Sequence, residues 1–225
     1  MAPAGRVFEV DPNHPEASPE GVEAAASAVR DGALVVLPTE TVYGIAARPD
    51  QPDATSRLFL AKRRPARLSL PVVALDAAGA WTLGARTDEA EALARAFWPG
   101  PLTLVVRRTA ESARWALGDR AETIALRVPD HPLTRAVLAQ TGPIAATSAN
   151  VSGSAPLSEP ADLVAAFGGL VTVYLVVRPG SSGPAGLPST VVDLTTSPPI
   201  VAREGGVPRA DIMRVLSHRD RRRAL

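Results

Sequence analysis

The sequence predicts an α/β fold in which one domain is built around a mixed sheet. Short runs rich in β-branched residues alternate with segments that have the spacing of amphipathic helices. Several neighbouring runs are separated only by turn residues, which indicates that some strands run antiparallel. With 225 residues and 46% hydrophobic residues, the chain is long enough to bury one complete core.

The individual elements follow from local signals taken in chain order. The first helix starts at Pro19 after a capping Ser18 and ends near Gly32, and a buried strand over 33–37 then stops at Pro38. Further helices are predicted over 54–62, 88–97, 132–140, 160–167 and 209–216. Further strands are predicted over 72–75, 102–107, 123–128, 144–147, 171–177, 190–194 and 200–203. Helices and strands therefore alternate along most of the chain.

The domain organisation is predicted from the same signals. Residues 1–17 are polar and proline-containing and are expected to form an extended lead-in, residues 18–216 one domain, and residues 217–225 a basic tail. The Gly/Pro/Ser-rich stretch 179–188 is the strongest loop signal. A surface connection is the simpler interpretation of this stretch, and a mobile lid is the alternative.

Composition excludes several classes of protein. The chain has no cysteine and only three widely separated histidines, which argues against disulfides, thiol chemistry and zinc binding, so that a metal would be a hard ion such as Mg²⁺. Its 24 basic and 23 acidic residues give no global field for nucleic acids. The Walker A, dinucleotide, nucleophile-elbow and zinc-protease motifs are all missing. No apolar stretch suits a membrane span, and the expected location is the cytosol.

Polar and cationic residues cluster where predicted elements end, which is where open α/β sheets usually bind ligands. Residues 38–44 follow a strand and are either a site or an ordinary turn. Lys62 and Arg64 end a helix; in an extended segment both could grip an anion, and the helix dipole alone would also favour them. Residues 147–153 combine hydroxyls, an amide and a glycine that suit an anion, or cap a loop.

Two further cations and a hydroxyl pair complete this inventory. Arg127 ends a strand and is either a site residue or a solvated edge charge. Ser189 and Thr190 supply hydroxyls late in the chain, and Arg203 supplies another cation. From the residues alone, the sequence predicts only an α/β domain that binds anions.

Taken together, these segments resemble the YrdC/Sua5 family. The order and spacing of 38–44, 62–65, 98–103, 123–132, 148–153, 189–193 and 203–205 are similar to those of its members, and the resemblance covers 18–216. It implies a YrdC-like, twisted, open mixed sheet with flanking helices around a large basic cavity. It also implies the short, single-domain bacterial type, without the additional C-terminal domain of the longer Sua5 type.

The activity implied by the resemblance is that of an L-threonylcarbamoyladenylate synthase. Such an enzyme joins L-threonine, bicarbonate and ATP, with Mg²⁺, and its product passes to the tRNA threonylcarbamoyl transferase complex that modifies adenosine 37. The residues implied as catalytic are Lys62 and Arg64. Those implied to bind ATP are Arg64, Thr123, Ser148, Asn150 and Arg203. Those implied to bind threonine are Thr39, Thr41, Arg127, Ala146 and Thr190.

Two departures from the family pattern keep rival interpretations open. Leu68 and Val73 stand where many members have an asparagine that contacts ATP and a histidine that contacts threonine. A paralogue that carbamoylates another substrate is therefore the first rival. The second is a module with weak RNA affinity, suggested by the basic run 219–223, although aromatic residues make up only 4% of the chain and such binders usually offer stacking platforms.

Overall fold

The computed structural model describes residues 5–14, 18–178, 181 and 183–223, with the backbone alone for 218–223. Within these residues seven α-helices form: α1 Pro19–Arg30, α2 Pro52–Ala61, α3 Ala77–Leu83, α4 Asp88–Phe97, α5 Pro132–Thr141, α6 Pro160–Phe167 and α7 Arg209–Arg223. Ten strands accompany them: β1 Arg6–Val10, β2 Val35–Leu37, β3 Gly44–Ala47, β4 Val72–Val73, β5 Leu102–Arg107, β6 Thr123–Arg127, β7 Ile144–Ser148, β8 Val173–Val177, β9 Thr190–Asp193 and β10 Ile200–Arg203.

All ten strands join one open, mixed sheet in the order β1-β8-β2-β3-β7-β4-β6-β5-β9-β10. The pairs β1·β8, β2·β8, β4·β6 and β5·β9 are parallel. The pairs β2·β3, β3·β7, β4·β7, β5·β6 and β9·β10 are antiparallel. The predicted α/β class and mixed sheet are therefore confirmed.

The structure corrects several predicted details. Residues 6–10, within the predicted extended lead-in, form the edge strand β1 and pair with β8. Strand β3 and helix α3 were not predicted, and α7 continues to Arg223 rather than ending at Leu216. The Ser18 side chain does not cap α1; its carbonyl accepts hydrogen bonds from the Gly21 and Val22 amides instead.

Helices cover the two faces of the sheet unequally. On one face, α2, α3, α4, α6 and α7 pack in a single core with side chains such as Val36, Leu104 and Leu126. On the other face, α1 and α5 pack over β1, β8, β2, β3 and the adjoining ends of β7 and β4, against side chains such as Val35, Leu37 and Val73. Because side chains alternate along a strand, the rest of that second face points away from the core and remains open.

Candidate active site

A cavity of about 440 Å³ lies over the open half of the sheet. Its floor is formed by alternate residues of five adjacent strands: Val73, Thr103, Val105, Thr123, Ala125, Arg127, Ala146, Ser148 and Val191. The intervening residues of the same strands, such as Leu104, Leu126 and Val192, are buried in the opposite core. The site is thus the second face of a half-covered sheet.

Strands and loops both contribute positive charge to the cavity lining. The lining carries five arginines and, among the described residues, no carboxylate; the arginines are Arg64, Arg67, Arg120, Arg127 and Arg203. Hydroxyl groups and a side-chain amide provide the neutral polar contacts, as at Thr39, Ser148 and Asn150. A cavity with this lining suits a ligand that carries several negative charges.

The end of α2 sends Lys62 and Arg64 in different directions. The Arg64 amide donates to the Phe59 carbonyl and the Arg63 amide to the Leu60 carbonyl, which is the pattern of a Schellman motif. Arg63 accordingly takes the left-handed conformation at φ 49°, where glycine is usual. The expectation of an extended segment with both cations pointing the same way is therefore wrong: Arg64 reaches the cavity and Lys62 turns into the interior.

Lys62 is buried beneath the loop that follows β7. Its Nζ donates to the Ser148 carbonyl, to the Asn150 carbonyl at 2.7 Å and to Asn150 Oδ1 at 3.4 Å. Burial, together with the charge of Arg64, lowers the pKa of Lys62 to about 8. The Lys62 ammonium therefore holds the backbone of this loop, while the cavity is lined by the residues above it.

Hydrogen bonds made by residues of the loop itself also fix its conformation. The Asn150 amide nitrogen Nδ2 donates to the Val151 carbonyl at 2.9 Å and to the Ser154 carbonyl at 2.6 Å. The Ser152 amide donates to the Lys62 carbonyl at 2.9 Å. These bonds leave Ser148 and Asn150 at the cavity wall in one arrangement, which is what a preorganised binding loop requires.

A second polar cluster joins residues 39–41 to β6. Thr39 Oγ1 accepts from the Thr41 and Val42 amides, and it lies 2.8 Å from Thr41 Oγ1. Arg127 Nη2 donates to Glu40 Oε1 at 2.7 Å and to Thr41 Oγ1 at 2.9 Å. Arg127 is only 8% exposed, so the interpretation as a solvated edge charge is wrong.

A β-bulge aims Arg203 at the cavity. Val201 pairs with Val192, but the register then shifts so that Arg203 pairs with Val191, a residue of the cavity floor. Without this shift Arg203 would pair with Thr190 and face the helices. The Arg203 guanidinium donates to the Ser189 carbonyl at 2.8 and 3.1 Å.

The positively charged side chains of the cavity interact electrostatically. Burial lowers the pKa of Arg64, and the charge of Arg203 lowers it further. Burial likewise lowers the pKa of Arg203, with an added contribution from the charge of Arg127. Arg203 therefore repels both Arg64 and Arg127, and a bound anion would relieve that repulsion.

Nine of the eleven predicted site residues line the cavity, and Lys62 and Thr190 do not. Thr190 is fully buried, and its Oγ1 exchanges hydrogen bonds with the Val207 backbone at 2.6 and 3.0 Å. Strand alternation explains this placement, because Val191 takes the cavity face and Thr190 takes the core face. The ligand contacts assigned to all eleven residues remain predictions.

Two other features of the sequence are found at this site: the two residues that depart from the family pattern, and the Gly/Pro/Ser-rich loop 179–188. Leu68 and Val73 both line the cavity. Part of 179–188 lies outside the described residues, but the Ala185 and Gly186 amides donate to the carbonyls of Glu40 and Thr41 at 3.2 and 2.7 Å. This loop is therefore attached to the threonine-rich segment, and a lid motion remains a prediction.

The described part of the chain contains neither a cluster of potential metal ligands nor a membrane-spanning helix. No three His, Asp or Glu side chains come together in a way that could hold a metal ion. None of the helices has both the length and the apolar character needed to span a membrane.

Comparison with known proteins gives consistent matches over most of the chain. A Mycobacterium tuberculosis protein is 40% identical over 207 residues, which are 90% of this chain and 92% of that protein. A Chromohalobacter salexigens protein named threonylcarbamoyl-AMP synthase is 38% identical over 173 residues, or 76% of this chain and 90% of its own. The crystal structure of P. abyssi Sua5 complexed with L-threonine superposes with a TM-score of 0.77 at 31% identity, covering 96% of this chain and 61% of that one.

The family model agrees with these matches. The Sua5_yciO_yrdC model, which carries the description "Telomere recombination", matches residues 27–205. That range begins inside α1 and ends just after β10, so it contains every strand that contributes to the cavity floor. The chain belongs to the Sua5/YciO/YrdC family.

Proposed function

We propose that this chain is an L-threonylcarbamoyladenylate synthase that makes threonylcarbamoyl-AMP and pyrophosphate from L-threonine, bicarbonate and ATP. The observation that carries the proposal is that Arg64, Arg127 and Arg203 line one cavity, in which Arg203 repels the other two. A triphosphate, a carboxylate and a carbamate must all come together in this reaction, and mutually repelling cations stabilise such a group of anions. The names of the relatives support the same activity.

The chemistry requires positioning more than a nucleophilic side chain. The threonine amine and bicarbonate form a carbamate with loss of water, and a carbamate oxygen then attacks the α-phosphorus of ATP. The bond from that phosphorus to the β-phosphate oxygen breaks, and pyrophosphate leaves. Fixed cations around the α-phosphate neutralise the charge that develops, which is the usual main contribution to phosphoryl and nucleotidyl transfer.

The roles of the residues divide between the two sides of the cavity. Thr39, Thr41, Arg127 and Ala146 would hold threonine, with Glu40 fixing the Arg127 guanidinium. Arg64, Thr123, Ser148, Asn150 and Arg203 would hold the nucleotide. Lys62 would act from below by fixing the backbone of 148–150, and Thr190 by fixing the backbone at Val207.

The residues of the cavity do not offer Mg²⁺ a site of their own. Mg²⁺ prefers carboxylate oxygens and phosphates, and the described lining contains no carboxylate. Mg²⁺ would therefore enter as the counter-ion of ATP. We further propose that the enzyme works in the cytosol, where its product would pass to the tRNA threonylcarbamoyl transferase complex.

The test is a reaction with the purified chain, ATP, Mg²⁺, bicarbonate and each amino acid in turn. We expect pyrophosphate release that depends on threonine, and a product with the mass of threonylcarbamoyl-AMP. Omission of bicarbonate is the matched control and should stop the reaction. Release with a different amino acid and not with threonine would favour the paralogue, for which the apolar Val73 in the cavity floor is the supporting observation.

A further inference from the structure

Two of the five cavity arginines differ from the other three in having no hydrogen-bond or ion-pair partner among the described residues. Arg64, Arg127 and Arg203 each donate hydrogen bonds to carbonyl or carboxylate oxygens. The side chains of Arg67 and Arg120 make no hydrogen bond or ion pair with the rest of the described chain, although both line the cavity. We call Arg67 and Arg120 the rim pair. Two like charges held at one opening without a counter-charge favour an anion from outside the protein.

The rim pair is brought together by two loops that are bonded to each other. The Leu70 amide donates to the Leu117 carbonyl at 2.7 Å, and the Asp119 amide donates to the Ala66 carbonyl at 3.0 Å. Arg67 directly follows Ala66, and Arg120 directly follows Asp119. The two cations therefore extend from neighbouring points of one backbone junction.

Gly118 makes this junction sterically demanding. Its φ is 119°, and a Cβ at this position would lie 2.5 Å from the Ala66 carbonyl oxygen. Both the conformation and the close approach require glycine. The close approach of the two loops therefore depends on Gly118. It fixes the backbone next to both members of the rim pair.

Arg108 ties the same junction to the cavity floor. Its guanidinium donates to the Ser112, Trp115 and Thr123 carbonyls at 3.0, 2.8 and 3.0 Å. It also donates to the Arg120 carbonyl at 3.4 Å. Because Thr123 belongs to the cavity floor, the position of Arg120 is set relative to that floor.

A third group beside the rim pair also lacks a partner. Ser69 lines the cavity, and its Oγ is shielded from solvent without any hydrogen bond. An unsatisfied hydroxyl of this kind costs free energy unless a ligand or water supplies the bond. Ser69 could donate to an anion held by the two arginines.

We propose that Arg67, Arg120 and Ser69 form the subsite for the terminal phosphates of the substrate nucleotide and for the pyrophosphate that leaves. This inference rests on the proposed function. The reacting α-phosphate must lie beside the amino acid, near the tethered cations, so the β- and γ-phosphates extend towards the rim. Untethered guanidinium groups there can follow the pyrophosphate as it separates, which the tethered cations cannot do.

The test compares ligands that differ only in their terminal phosphates. Isothermal titration measures ATP, AMP and inorganic pyrophosphate binding to the full chain and to R67A, R120A and the double variant. We expect each single substitution to weaken ATP and pyrophosphate about fivefold, and the double substitution about twentyfold, with AMP unchanged within twofold. The salt dependence of ATP binding should also become shallower in the double variant.

Controls separate this inference from the proposed function. Arg114 is exposed on the same loop as Arg120 but does not line the cavity, so R114A should bind all three ligands like the parent. Parent affinity for ATP and pyrophosphate in the double variant would overturn the subsite, as would an equal loss for ATP and AMP. These binding results stand whether or not threonylcarbamoyl-AMP is made, and failure to make it would overturn only the proposed function.

Discussion

The two halves of one sheet face have the same strand geometry and opposite chemistry. Over β8, β2 and β3, inward residues such as Val35 and Leu37 are buried under α1 and α5. Over β6, β5 and β9, the equivalent positions carry residues such as Thr123, Ala125 and Arg127, and they face a cavity. Strand alternation decides which face a residue takes, whereas the placement of helices decides whether that face becomes a core or a site.

The boundary between the halves crosses β3, β7 and β4, which contribute residues both to the core under α1 and α5 and to the cavity. Ala46 and Ala146 are register partners across these strands and point to the same face. Ala46 is 1% exposed within the core under α1 and α5, while Ala146 packs at the edge of that core and lines the cavity. Because both positions hold alanine, the same substitution can be made at each to compare the covered half with the open half.

The largest effect is expected from Ala146→Leu. The added side chain would occupy the part of the cavity where threonine is proposed to bind, and we expect kcat/KM for threonine to fall about 10³-fold, or about 4 kcal/mol. The free energy of unfolding should change by less than about 1 kcal/mol because the cavity has room for the added atoms. Threonine-dependent pyrophosphate release and urea unfolding measure the two quantities.

Ala46→Leu is the matched control. Overpacking under α1 and α5 should lower the free energy of unfolding by about 1 to 3 kcal/mol. The folded fraction should retain kcat/KM within about threefold of the parent value, because Ala46 does not line the cavity. Equal stability losses for both variants would mean that the two halves of the face are not distinct.

The next effect concerns Lys62, which supports the open half from beneath. In Lys62→Met the Asn150 carbonyl loses its ammonium donor, and we expect kcat/KM for ATP to fall about 10² to 10³-fold, or about 3 to 4 kcal/mol. The unfolding free energy should fall by about 2 kcal/mol, since removal of a buried charge offsets part of the lost hydrogen bonding. Initial rates at varied ATP and urea unfolding measure these changes.

The pH dependence of the parent protein gives a second test of Lys62. Its pKa is about 8 when folded, below the ordinary 10.5, so the unfolded chain binds more protons between these values. Stability should therefore rise with pH across this window. Activity should fall above about pH 8, because the neutral amine holds the 148–150 backbone less strongly. If Lys62→Met still loses activity above about pH 8, the loss must come from the titration of another group.

Prediction from sequence succeeded where the pattern was local. Continuous β-branched runs such as Leu102–Arg107, and helices opened by proline such as Pro160–Phe167, have the bounds that the pattern indicates. Strand β3 was missed because Gly44–Ala47 contains glycine and alanine, which have weak strand propensity. Its strand state comes from pairing with β2 and β7, which local signals do not contain.

The sequence predicted which residues belong to the site better than it predicted how they are oriented. Arg64, Ser148 and Arg203, which were identified from separate motifs, line one cavity, and their ligand contacts stay predictions. The direction of Lys62 was not predictable, because the left-handed position at the end of α2 holds an arginine instead of the usual glycine. Arg120 belongs to no motif and reaches the cavity only through a junction between two loops.

An effect smaller than the losses of kcat/KM is expected for His131, which is 6% exposed, precedes α5 and does not line the cavity. Burial lowers its pKa from 6.5 to about 4, although the charges of Glu40 and Asp130 act in the opposite direction. The unfolded chain thus binds more protons between pH 4 and 6.5, and stability should fall by about 2 to 3 kcal/mol as the pH drops through this range.

We call this fall in stability between pH 7 and pH 4 the acid limb. His131→Asn should flatten it in urea unfolding measured over that range, because asparagine does not titrate there. His14→Asn is the control at an exposed histidine on the loop after β1, where only a contact with Asp11 is lost, and it should change the limb much less than His131→Asn. An acid limb that survives in His131→Asn would mean that carboxylates cause it. A limb removed only with His131 would assign the acid sensitivity of stability to the covered half, while Lys62 gives the open half its alkaline sensitivity of activity.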